Sequence, residues 1–487
     1  MSSIDDIRNE RLKKVAKLRA EGIDPYPADS LRTEDNASFI ASFEEKEKSQ
    51  NIITLAGRVM SLRDQGGIVF VDLDDGTHRV QALIKKDDVE PASFALFLET
   101  VDVGDFIEVT GHAFTTKRGV QSLSGTHWRM LTKSIQNIPS EWFGIKDEDE
   151  RYRKRYLDIL LNEKTSDLIK KRSVFWNAIR SFMLERNFVE VETPVLETKT
   201  GGADARPFVT HHNALDIDVY LRISAGELWQ KRLLVGGIPK TFEIGRIFRN
   251  EGMSYEHAQD YTQFEFYEAY QSGEQGVAML IDLYRAVAQK TFGTLAFSIN
   301  GFEVDLEKEW TRIDFNTVMK KTYGFDPRTV TLKEVVGHLT TEHIPFEKNI
   351  DVGRGVDLLW KQVRKTIGGP SILTGMPVYL EPLAKKNKDD NRVVDRFQIL
   401  IGGSELGKGF NELNDPVDQT ERFMTQQALR DSGDEEAQMA DLEYVEALEY
   451  GMPPAFGFGV SERLFSFLAG VSIREAQLFP LMRPRGE

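Results

Sequence analysis

Charged and aromatic residues are paired along two neighbouring predicted strands near the middle of the chain. Residues 242–252, FEIGRIFRNEG, alternate as a strand does and carry Arg249 and Glu251, and a returning strand carries Glu265 and Tyr267. Residues two apart on a strand share a face, so each pair should point to one side of an antiparallel hairpin. A charged strand face is usually solvated, but the aromatic neighbours and the later segment GFNELND favour a polar pocket here.

Two glycine-rich segments are weaker signals. Residues 402–408, GGSELGK, match the start of a phosphate-binding P-loop, but Gly409 stands where that loop needs Ser or Thr for Mg²⁺. The following FNELNDP also cannot start a regular helix, so we reject a P-loop. The short GFG at 457–459 is insufficient for a dinucleotide fingerprint.

Composition limits the class of protein. The 487 residues predict two to four domains at roughly 150 residues each. Lys and Arg number 62 and Asp and Glu 77, a net charge of −15, so nucleic acid could bind only at local basic or aromatic patches. The absence of cysteine excludes disulfides, thiolate metal sites and Cys nucleophiles. Without a long apolar run or a signal peptide, we expect a soluble, cytoplasmic protein with no membrane partner.

Two regions of different composition precede the pocket. Residues 1–48 begin with a basic amphipathic segment that predicts a helix, either solvated or also in contact with nucleic acid. Residues 49–140 contain five short β-rich runs separated by turns, which predict a small closed barrel. Barrels of the OB-fold type stack bases on strand aromatics, and Phe70 is either such an aromatic or a core residue.

The rest of the chain is predicted to form one large domain. Residues 141–160, rich in both charge signs, are interpreted as a linker into a long helix at about 164–186. Residues 161–487 alternate strands and helices, which indicates an α+β domain. The stretch at about 300–369 is more helical and is interpreted as an insertion.

An ordered set of motifs points to one family. The motifs include GGADARPF, YLRIS, ELWQKRL, FEIGRIFRNEG, EPLAKKN, GKGFNELND and REAQLFPLMRP. With them the chain resembles the class II lysyl-tRNA synthetases over essentially its whole length. The resemblance implies an N-terminal OB-fold barrel that binds the anticodon and a catalytic domain built on an antiparallel sheet flanked by helices. It also implies a lysine--tRNA ligase, which activates lysine with ATP and transfers it to the 3′ end of tRNA.

The resemblance assigns ATP-binding roles to residues of the hairpin and of the segment GFGVSERL. Arg249 would contact the α-phosphate and the substrate carboxylate, and Glu251 and Tyr261 the adenine. His257 would face the outer phosphates, and Arg463 the γ-phosphate and adenine. Arg249 and Arg463 are the predicted catalytic residues, because fixed positive charges stabilise the negative charge that spreads around phosphorus.

The resemblance also implies the lysine site. Arg249 would bind the carboxylate, and six further residues would hold the α-amino group and the side chain: Gly202, Glu227, Glu265, Tyr267, Phe410 and Glu412. A buried ammonium must meet a carboxylate or bear a large desolvation cost. Glu412 is the predicted partner of the substrate ammonium.

Four departures from the family pattern affect these assignments. Gln398 stands where a Glu usually helps bind Mg²⁺, which leaves Glu405 as the predicted metal ligand and a further ATP contact. Lys408 stands where Asn is common, the segment before Glu227 is one residue longer, and the third-motif glycines are shifted relative to Arg463. Two alternatives therefore stand: an aspartyl- or asparaginyl-type synthetase, or an impaired synthetase-like binding protein.

The resemblance implies two macromolecular partners. In the barrel, Phe70 and Gln81 match residues that read the anticodon, with Arg63 as a further phosphate or base contact, so a lysine-accepting tRNA is the expected partner. The segment NFVEVETPVL, residues 187–196, matches the first class II motif and implies a homodimer. The apolar stripe of Phe175, Ile179 and Phe182 at helical spacing is a second argument for this interface, but core packing within one subunit would explain the same stripe.

Overall fold

The computed structural model describes residues 4–139, 145–348, 350–433 and 437–486. By its internal contacts the chain divides into two compact units, Met1–Lys146 and Asp147–Glu487. Among the helices of the described residues, none is long and apolar enough to cross a membrane.

The first unit is a five-stranded barrel with four helices. Its elements are α1 (Ile4–Ala20), α2 (Asn36–Ala41), α3 (Phe43–Ser49), β1 (Ile53–Asp64), β2 (Ile68–Asp74), β3 (Arg79–Lys85), α4 (Pro91–Thr100), β4 (Phe106–Thr115) and β5 (Gln121–Thr132). The strands close in the order β1-β2-β3-β5-β4, which confirms the predicted barrel. Alternation along β2 buries Val69, Val71 and Leu73 and leaves Phe70 and Asp72 half-buried on the outer face.

The second unit contains the remaining helices and strands. Its elements are α5 (Glu148–Arg153), α6 (Arg155–Leu161), α7 (Glu163–Leu184), β6 (Val189–Glu190), β7 (Leu196–Glu197), β8 (Val209–His212), β9 (Ile217–Leu221), α8 (Glu227–Val235), β10 (Lys240–Phe248), β11 (Asp260–Ala269), α9 (Gly273–Phe292), β12 (Ala296–Ile299), β13 (Phe302–Asp305), β14 (Thr311–Asp314), α10 (Phe315–Tyr323), α11 (Leu332–Thr341), α12 (Val352–Val363), β15 (Ser371–Thr374), β16 (Arg396–Ile401), β17 (Ser404–Asn411), α13 (Pro416–Asp431), α14 (Leu442–Glu449), β18 (Ala455–Ser461), α15 (Arg463–Ala469) and α16 (Ile473–Ala476).

An eight-stranded sheet organises this unit in the order β14-β15-β16-β17-β18-β11-β10-β6. Its central pairs are antiparallel, and only the outermost pairs, β14 with β15 and β10 with β6, are parallel. One face packs on α7, α9 and α15 through a core rich in phenylalanine. The α+β class and the helix-flanked antiparallel sheet are therefore confirmed.

The expectations for the linker and for the helical insertion were wrong in part. Within the proposed linker 141–160, residues 141–144 lie outside the described residues, but α5 and most of α6 are helical because Asp147 caps α5. The proposed helical insertion 300–369 begins with β13 and β14, and β14 is an edge strand of the main sheet.

The stripe of apolar residues on α7 does not form a surface. Phe175, Ile179 and Phe182 are buried in the core of their own chain, and Phe175 contacts the Phe465 ring at 5.4 Å between centroids. The helical spacing of these apolar residues on α7 thus reflects their packing against the sheet. It supplies no argument for a dimer.

Candidate active site

One large cavity opens on the second face of the eight-stranded sheet. Its volume is about 670 Å³, within the range of small-molecule sites. All twelve residues proposed for ATP, metal and lysine line this cavity: Gly202, Glu227, Arg249, Glu251, His257, Tyr261, Glu265, Tyr267, Glu405, Phe410, Glu412 and Arg463. The structure brings these residues together, whereas their individual roles stay predictions.

Strand alternation places the cavity residues of β11 and β18. Phe264 and Phe266 of β11 are fully buried in the core, so Glu265 and Tyr267 point to the opposite face. In β18 the alternate positions toward the cavity are glycines. A Cβ at Gly457 would lie 2.1 Å from Oε1 of Glu412, so the glycine is required for that carboxylate to fit.

The predicted placement of Arg249 and Glu251 on a strand was wrong. Strand β10 ends at Phe248, and both residues lie in the loop before β11. Arg249 is held there by its own backbone, whose N–H donates to the carbonyl of Gln259 at 2.7 Å, and by its guanidinium, which donates to the carbonyl of Ile223 at 3.2 Å. The arginine still reaches the cavity, but a hairpin loop positions it.

Three carboxylates form the acidic end of the cavity. Glu227, Glu265 and Glu412 are 5%, 3% and 2% exposed, respectively. Glu265 accepts the backbone N–H of Ala225 at 2.9 Å, and the Tyr267 hydroxyl donates to its other oxygen at 3.1 Å. We call these three residues the acidic cluster.

Glu412 differs from its neighbours because its charge is only partly satisfied. Its Oε1 has no hydrogen-bond partner among the described residues. Its Oε2 lies 2.5 Å from the ammonium of Lys231. A buried acceptor without a donor is costly, and it marks a place where a ligand N–H would be favoured.

Burial shifts the protonation of the acidic cluster. Burial raises the pKa of Glu412 to about 8, with Lys231 opposing the shift and Glu227 adding to it. Burial and the neighbouring Glu227 raise the pKa of Glu265 to about 7. The empty pocket therefore retains protons near neutral pH, and a bound cation would displace them.

The opposite end of the cavity is cationic. Arg463 begins α15, and its guanidinium donates to the backbone carbonyl of Glu405 at 2.5 Å. Glu256 approaches the same guanidinium at 3.5 Å and accepts the Ser404 hydroxyl at 2.8 Å. Burial and the charge of Arg463 lower the pKa of His257, which favours a neutral imidazole. This end is suited to an anionic ligand such as a triphosphate.

Glu405 lies among cations at this end. Its Oε1 accepts the indole N–H of Trp360 at 2.7 Å. Burial alone would raise the pKa of Glu405, but Arg364, Arg396 and Arg463 hold it below its ordinary value. Glu405 is therefore ionised, as a metal ligand must be.

The donor set fits Mg²⁺ only if a ligand supplies most of the oxygens. Among the described residues no group of three or more His, Asp or Glu side chains could enclose an ion. Mg²⁺ often uses one or two carboxylates together with phosphate oxygens and water. Glu405 beside a triphosphate meets that requirement, and Gln398 offers a neutral amide oxygen that already accepts from Arg396 at 3.0 Å.

The other sequence departures are also accommodated. Lys408 lines the cavity and lies 3.4 Å from Glu381, whose other oxygen lies 3.0 Å from Arg396, so its charge is countered. In the longer segment before Glu227, Gly226 adopts the left-handed region at φ 80° at the start of α8. Despite the shifted glycines, Arg463 lines the cavity.

Sequence reasoning missed two residues that line the cavity, Glu256 and Arg364, and two that contact its lining residues, Lys231 and Trp360. Lys231 follows Glu227 by one helical turn, and that spacing could have identified it. Glu256, Arg364 and Trp360 gave no comparable signal. Trp360 and Arg364 come from α12 and its end, inside the segment interpreted as an insertion.

The barrel presents the three predicted anticodon residues on one outer face. Phe70 pairs across the strands with Arg63, and Gln81 pairs with Asp72, which is two residues from Phe70 on β2. The Arg63 guanidinium lies 5.7 Å from the centre of the Phe70 ring. Because Phe70 is half-buried on the outer face, the reading of Phe70 as a core residue is wrong.

Comparisons with known proteins identify the family. A family model described as tRNA synthetases class II (D, K and N) matches residues 147–483, and one described as OB-fold nucleic acid binding domain matches residues 53–131. The chain is 40% identical to the lysine--tRNA ligases of Fervidobacterium nodosum and Thermotoga maritima, over 99% of this chain and 95% and 97% of those proteins. It is 39% identical to that of Bacillus subtilis, over 99% and 98% of the two chains. The chain belongs to the class II lysyl-tRNA synthetases. The motif resemblance is thereby confirmed.

In this lysyl-tRNA synthetase the acidic cluster should make stability depend on pH. A carboxyl whose pKa is raised on folding stabilises the folded state fully below its unfolded value, and this contribution is lost as pH rises through the folded value. With unfolded values of 4.5 and folded values of about 7 and about 8 for Glu265 and Glu412, the melting temperature of the ligand-free protein should fall from pH about 5 to pH about 8.

Thermal melting across this range is the measurement. Glu412→Gln removes one titrating group, so its curve should be flatter than that of the wild type. Glu197, whose pKa burial raises to about 7, contributes a residual slope in both proteins. Equal slopes for the two proteins would show that Glu412 does not titrate there.

Proposed function

We propose that the protein is a lysine--tRNA ligase that forms lysyl-adenylate from lysine and ATP and then esterifies the 3′ end of tRNA. The observation that carries the proposal is the buried Glu412 carboxylate, whose Oε1 has no hydrogen-bond donor among the described residues, inside a cavity whose other end is cationic. A lysine ammonium supplies the missing donor and charge. The names of the full-length relatives support the same activity.

The shape of the acidic end supports lysine as the amino acid. Phe410 and Tyr267 line the cavity beside Glu412, and their rings can pack against the aliphatic stem of lysine. Gly202, in the left-handed region at φ 85°, leaves no room for a side chain, since a Cβ there would lie 2.7 Å from Cβ of Glu227. The α-amino group can therefore approach Glu227 closely.

The polarity of the cavity orients the reaction. With both ammonium groups at the acidic cluster, the lysine carboxylate faces Arg249. Its oxygen attacks the α-phosphorus of ATP, the bond to the β-phosphate oxygen breaks, and pyrophosphate leaves. Arg249 and Arg463 stabilise the negative charge on the transferring group, and no side-chain nucleophile is needed. A 3′-terminal hydroxyl of tRNA then attacks the carbonyl carbon and releases AMP.

The ATP site also accounts for the proposed metal. Mg²⁺ bound with ATP would neutralise phosphate charge, and Glu405 would hold it on the protein side. Tyr261 would lie against the adenine, and the Arg249 guanidinium lies 5.9 Å from its ring centre. Glu251 lines the same part of the cavity and would read the adenine.

We further propose a homodimer. The support is a set of exposed apolar residues in and beside the first class II motif: Val189, Val195 and Leu196 are 49%, 43% and 49% exposed. Such a patch on one side of a catalytic unit favours burial against a second copy. A cytoplasmic location also stays a prediction.

Exchange of pyrophosphate into ATP, tried with each amino acid separately, tests the proposed function. Lysine alone should support rapid exchange, and charging of a lysine-accepting tRNA should follow. An aspartyl- or asparaginyl-type enzyme would respond to a different amino acid. A binding protein without turnover would respond to none.

Glu412→Gln should abolish most lysine activation. Removal of one partner of a buried charge pair costs about 3–5 kcal/mol, so kcat/KM for lysine should fall by roughly 10²- to 10³-fold or more. The KM for ATP and the melting temperature should change little. Glu268→Gln is the matched control, because Glu268 is equally buried but pairs with Lys240 outside the cavity. Loss of ATP binding before lysine activation would assign Glu412 a structural role.

Glu405→Gln should raise the Mg²⁺ concentration needed for half-maximal exchange, since Glu405 is the proposed carboxylate ligand. Calorimetry of ATP binding gives a readout independent of turnover. Binding with Mg²⁺ present should weaken in the variant, whereas binding of ATP with excess chelator should not. An unchanged Mg²⁺ titration would mean that another group holds the ion.

Phe70→Ala should spare lysine activation and weaken tRNA charging. Base stacking on an aromatic side chain is worth about 1–3 kcal/mol, which predicts a rise in the KM for tRNA of roughly 5- to 150-fold. Phe106→Ala is the matched control. Phe106 is also half-buried and lies beneath an arginine, but its partner is Arg58, which is five residues before Arg63 on β1. Equal loss in both variants would indicate a general defect of the barrel.

A further inference from the structure

A lysine of the protein itself lies in the acidic cluster. Lys231 is on α8, one turn after Glu227, and its side chain is only 1% exposed. Its ammonium lies 2.8 Å from Oε1 of Glu227 and 2.5 Å from Oε2 of Glu412. It also lies 5.3 Å from the ring centre of Phe410 and 5.7 Å from that of Tyr267. These are the same groups that the proposed function assigns to the substrate.

Lys231 is a permanent cation in this setting. Burial alone would lower the pKa of its amine, but the carboxylates of Glu227 and Glu412 raise it above the ordinary value. Tyr444 is the other titratable group facing it, and burial raises the pKa of that phenol, so it stays neutral. The resident charge at the acidic cluster is thus one positive.

The charges at this end do not balance. When a bound cation has displaced the protons and all three carboxylates are ionised, the resident charge is 1 − 3 = −2. Near the entrance, Glu381 pairs with Arg396 and Lys408, and burial raises the pKa of Asp204, which favours its neutral form. Free lysine carries two ammonium groups at neutral pH, one at each end of its stem. The deficit therefore equals the charge that lysine brings.

We propose that Lys231 is a positioning residue for lysine recognition, which orients Glu227 and Glu412, favours the carboxylate form of Glu412, and leaves a deficit of two charges that only a diamino acid fills. This inference rests on the proposed function. A resident cation of this kind reduces the repulsion among three carboxylates in the empty pocket. Lys231 also links Glu227, the acid proposed for the α-amino group, to Glu412, the acid proposed for the side-chain ammonium. Both carboxylates therefore have fixed positions before the substrate binds.

The competing explanation is that Lys231 only joins α8 to the end of β17. A structural ion pair and a charge-setting residue both lose affinity when the lysine is removed. They differ in how that loss responds to pH and to removal of a second charge. These two responses therefore distinguish a charge-setting residue from a structural ion pair.

Four proteins separate the explanations: Lys231→Met, Glu412→Gln, the double variant, and Lys231→Arg, which keeps the charge. Lys240→Met is the matched control, since Lys240 pairs with Glu268 on the same sheet outside the cavity. Lysine-dependent exchange at saturating ATP gives KM and kcat for each protein. Wild-type exchange with lysine is measured first, and its absence would overturn the proposed function as distinct from the role of Lys231.

Lys231→Met should raise the KM for lysine at least about tenfold with little change in the KM for ATP. Without the resident cation the carboxyls hold their protons more tightly than in the wild type, so this KM should fall more steeply between pH about 7 and about 9 than in the wild type. Lys231→Arg should keep the wild-type pH profile. A parallel pH profile for Lys231→Met would overturn the proposal.

The double variant tests the charge count directly. It has two carboxylates and no resident cation, so it again presents a deficit of two charges. Its loss of kcat/KM should therefore be smaller than the product of the two single losses, by about tenfold or more. Losses that multiply would mean that Lys231 is structural.

Calorimetry on the wild type covers the case in which Lys231→Met does not fold. Proton release is obtained by measuring binding in two buffers of different ionisation enthalpy. Lysine should release more protons than norleucine, which brings only one ammonium to the same pocket. Equal proton release by the two ligands would overturn the proposed charge deficit.

Discussion

The burial of the three carboxylates of the acidic cluster is the constraint on which the rest of the catalytic unit depends. An ion removed from water costs several kcal/mol unless hydrogen bonds and opposite charges replace its hydration. Glu265 is supported by the backbone N–H of Ala225 and by Tyr267, and Glu227 by Lys231. Glu412 is paired with Lys231 through Oε2, but its Oε1 has no donor among the described residues, so the cost is concentrated where a ligand can relieve it. A pocket built in this way gains affinity from the same group that it selects.

The geometry of the backbone follows from that constraint. The carboxylate of Glu412 fits only because Gly457 of the neighbouring strand has no side chain, and Glu227 enters the cavity because Gly226 adopts a left-handed turn before α8. At the cationic end, Arg249 comes from a loop and Arg463 from the start of α15, beside Glu405 of β17. The sheet thus supplies residues to both ends of the cavity, and loop and helix residues complete each end. Opposite polarity at the two ends fixes the direction in which a zwitterion can enter.

Periodicity in the sequence was sufficient for the elements whose burial depends on it. The alternation around Glu265 and Tyr267 predicted their shared face, and the β-rich runs predicted the barrel, because the side-chain period of a strand is a local property. Features that depend on where a strand or helix ends could not be predicted from the sequence. Arg249 was placed on a strand because nothing in FEIGRIFRNEG marks where pairing stops at Phe248. The stripe that includes Phe175 was assigned to a dimer because an apolar helix face is the same whether it meets its own sheet or a second chain. Trp360 and Arg364 join the site from a distant segment, a contact that only the tertiary fold creates.

The departures from the family pattern at residues 398 and 408 change how charge is distributed at the phosphate end of the cavity. Gln398 replaces a carboxylate, and its amide oxygen is held by Arg396. Lys408 adds a cation, but Glu381 lies between it and Arg396 and counters both. The added positive charge is therefore countered by Glu381, although Lys408 lines the same cavity as Glu227. With one carboxylate fewer, the surroundings of Glu405 are more positive, with three arginines near it. Such a site attracts the triphosphate more strongly through fixed side-chain charge and depends less on protein ligands for the metal, since the phosphates themselves can supply most of the oxygens that Mg²⁺ requires.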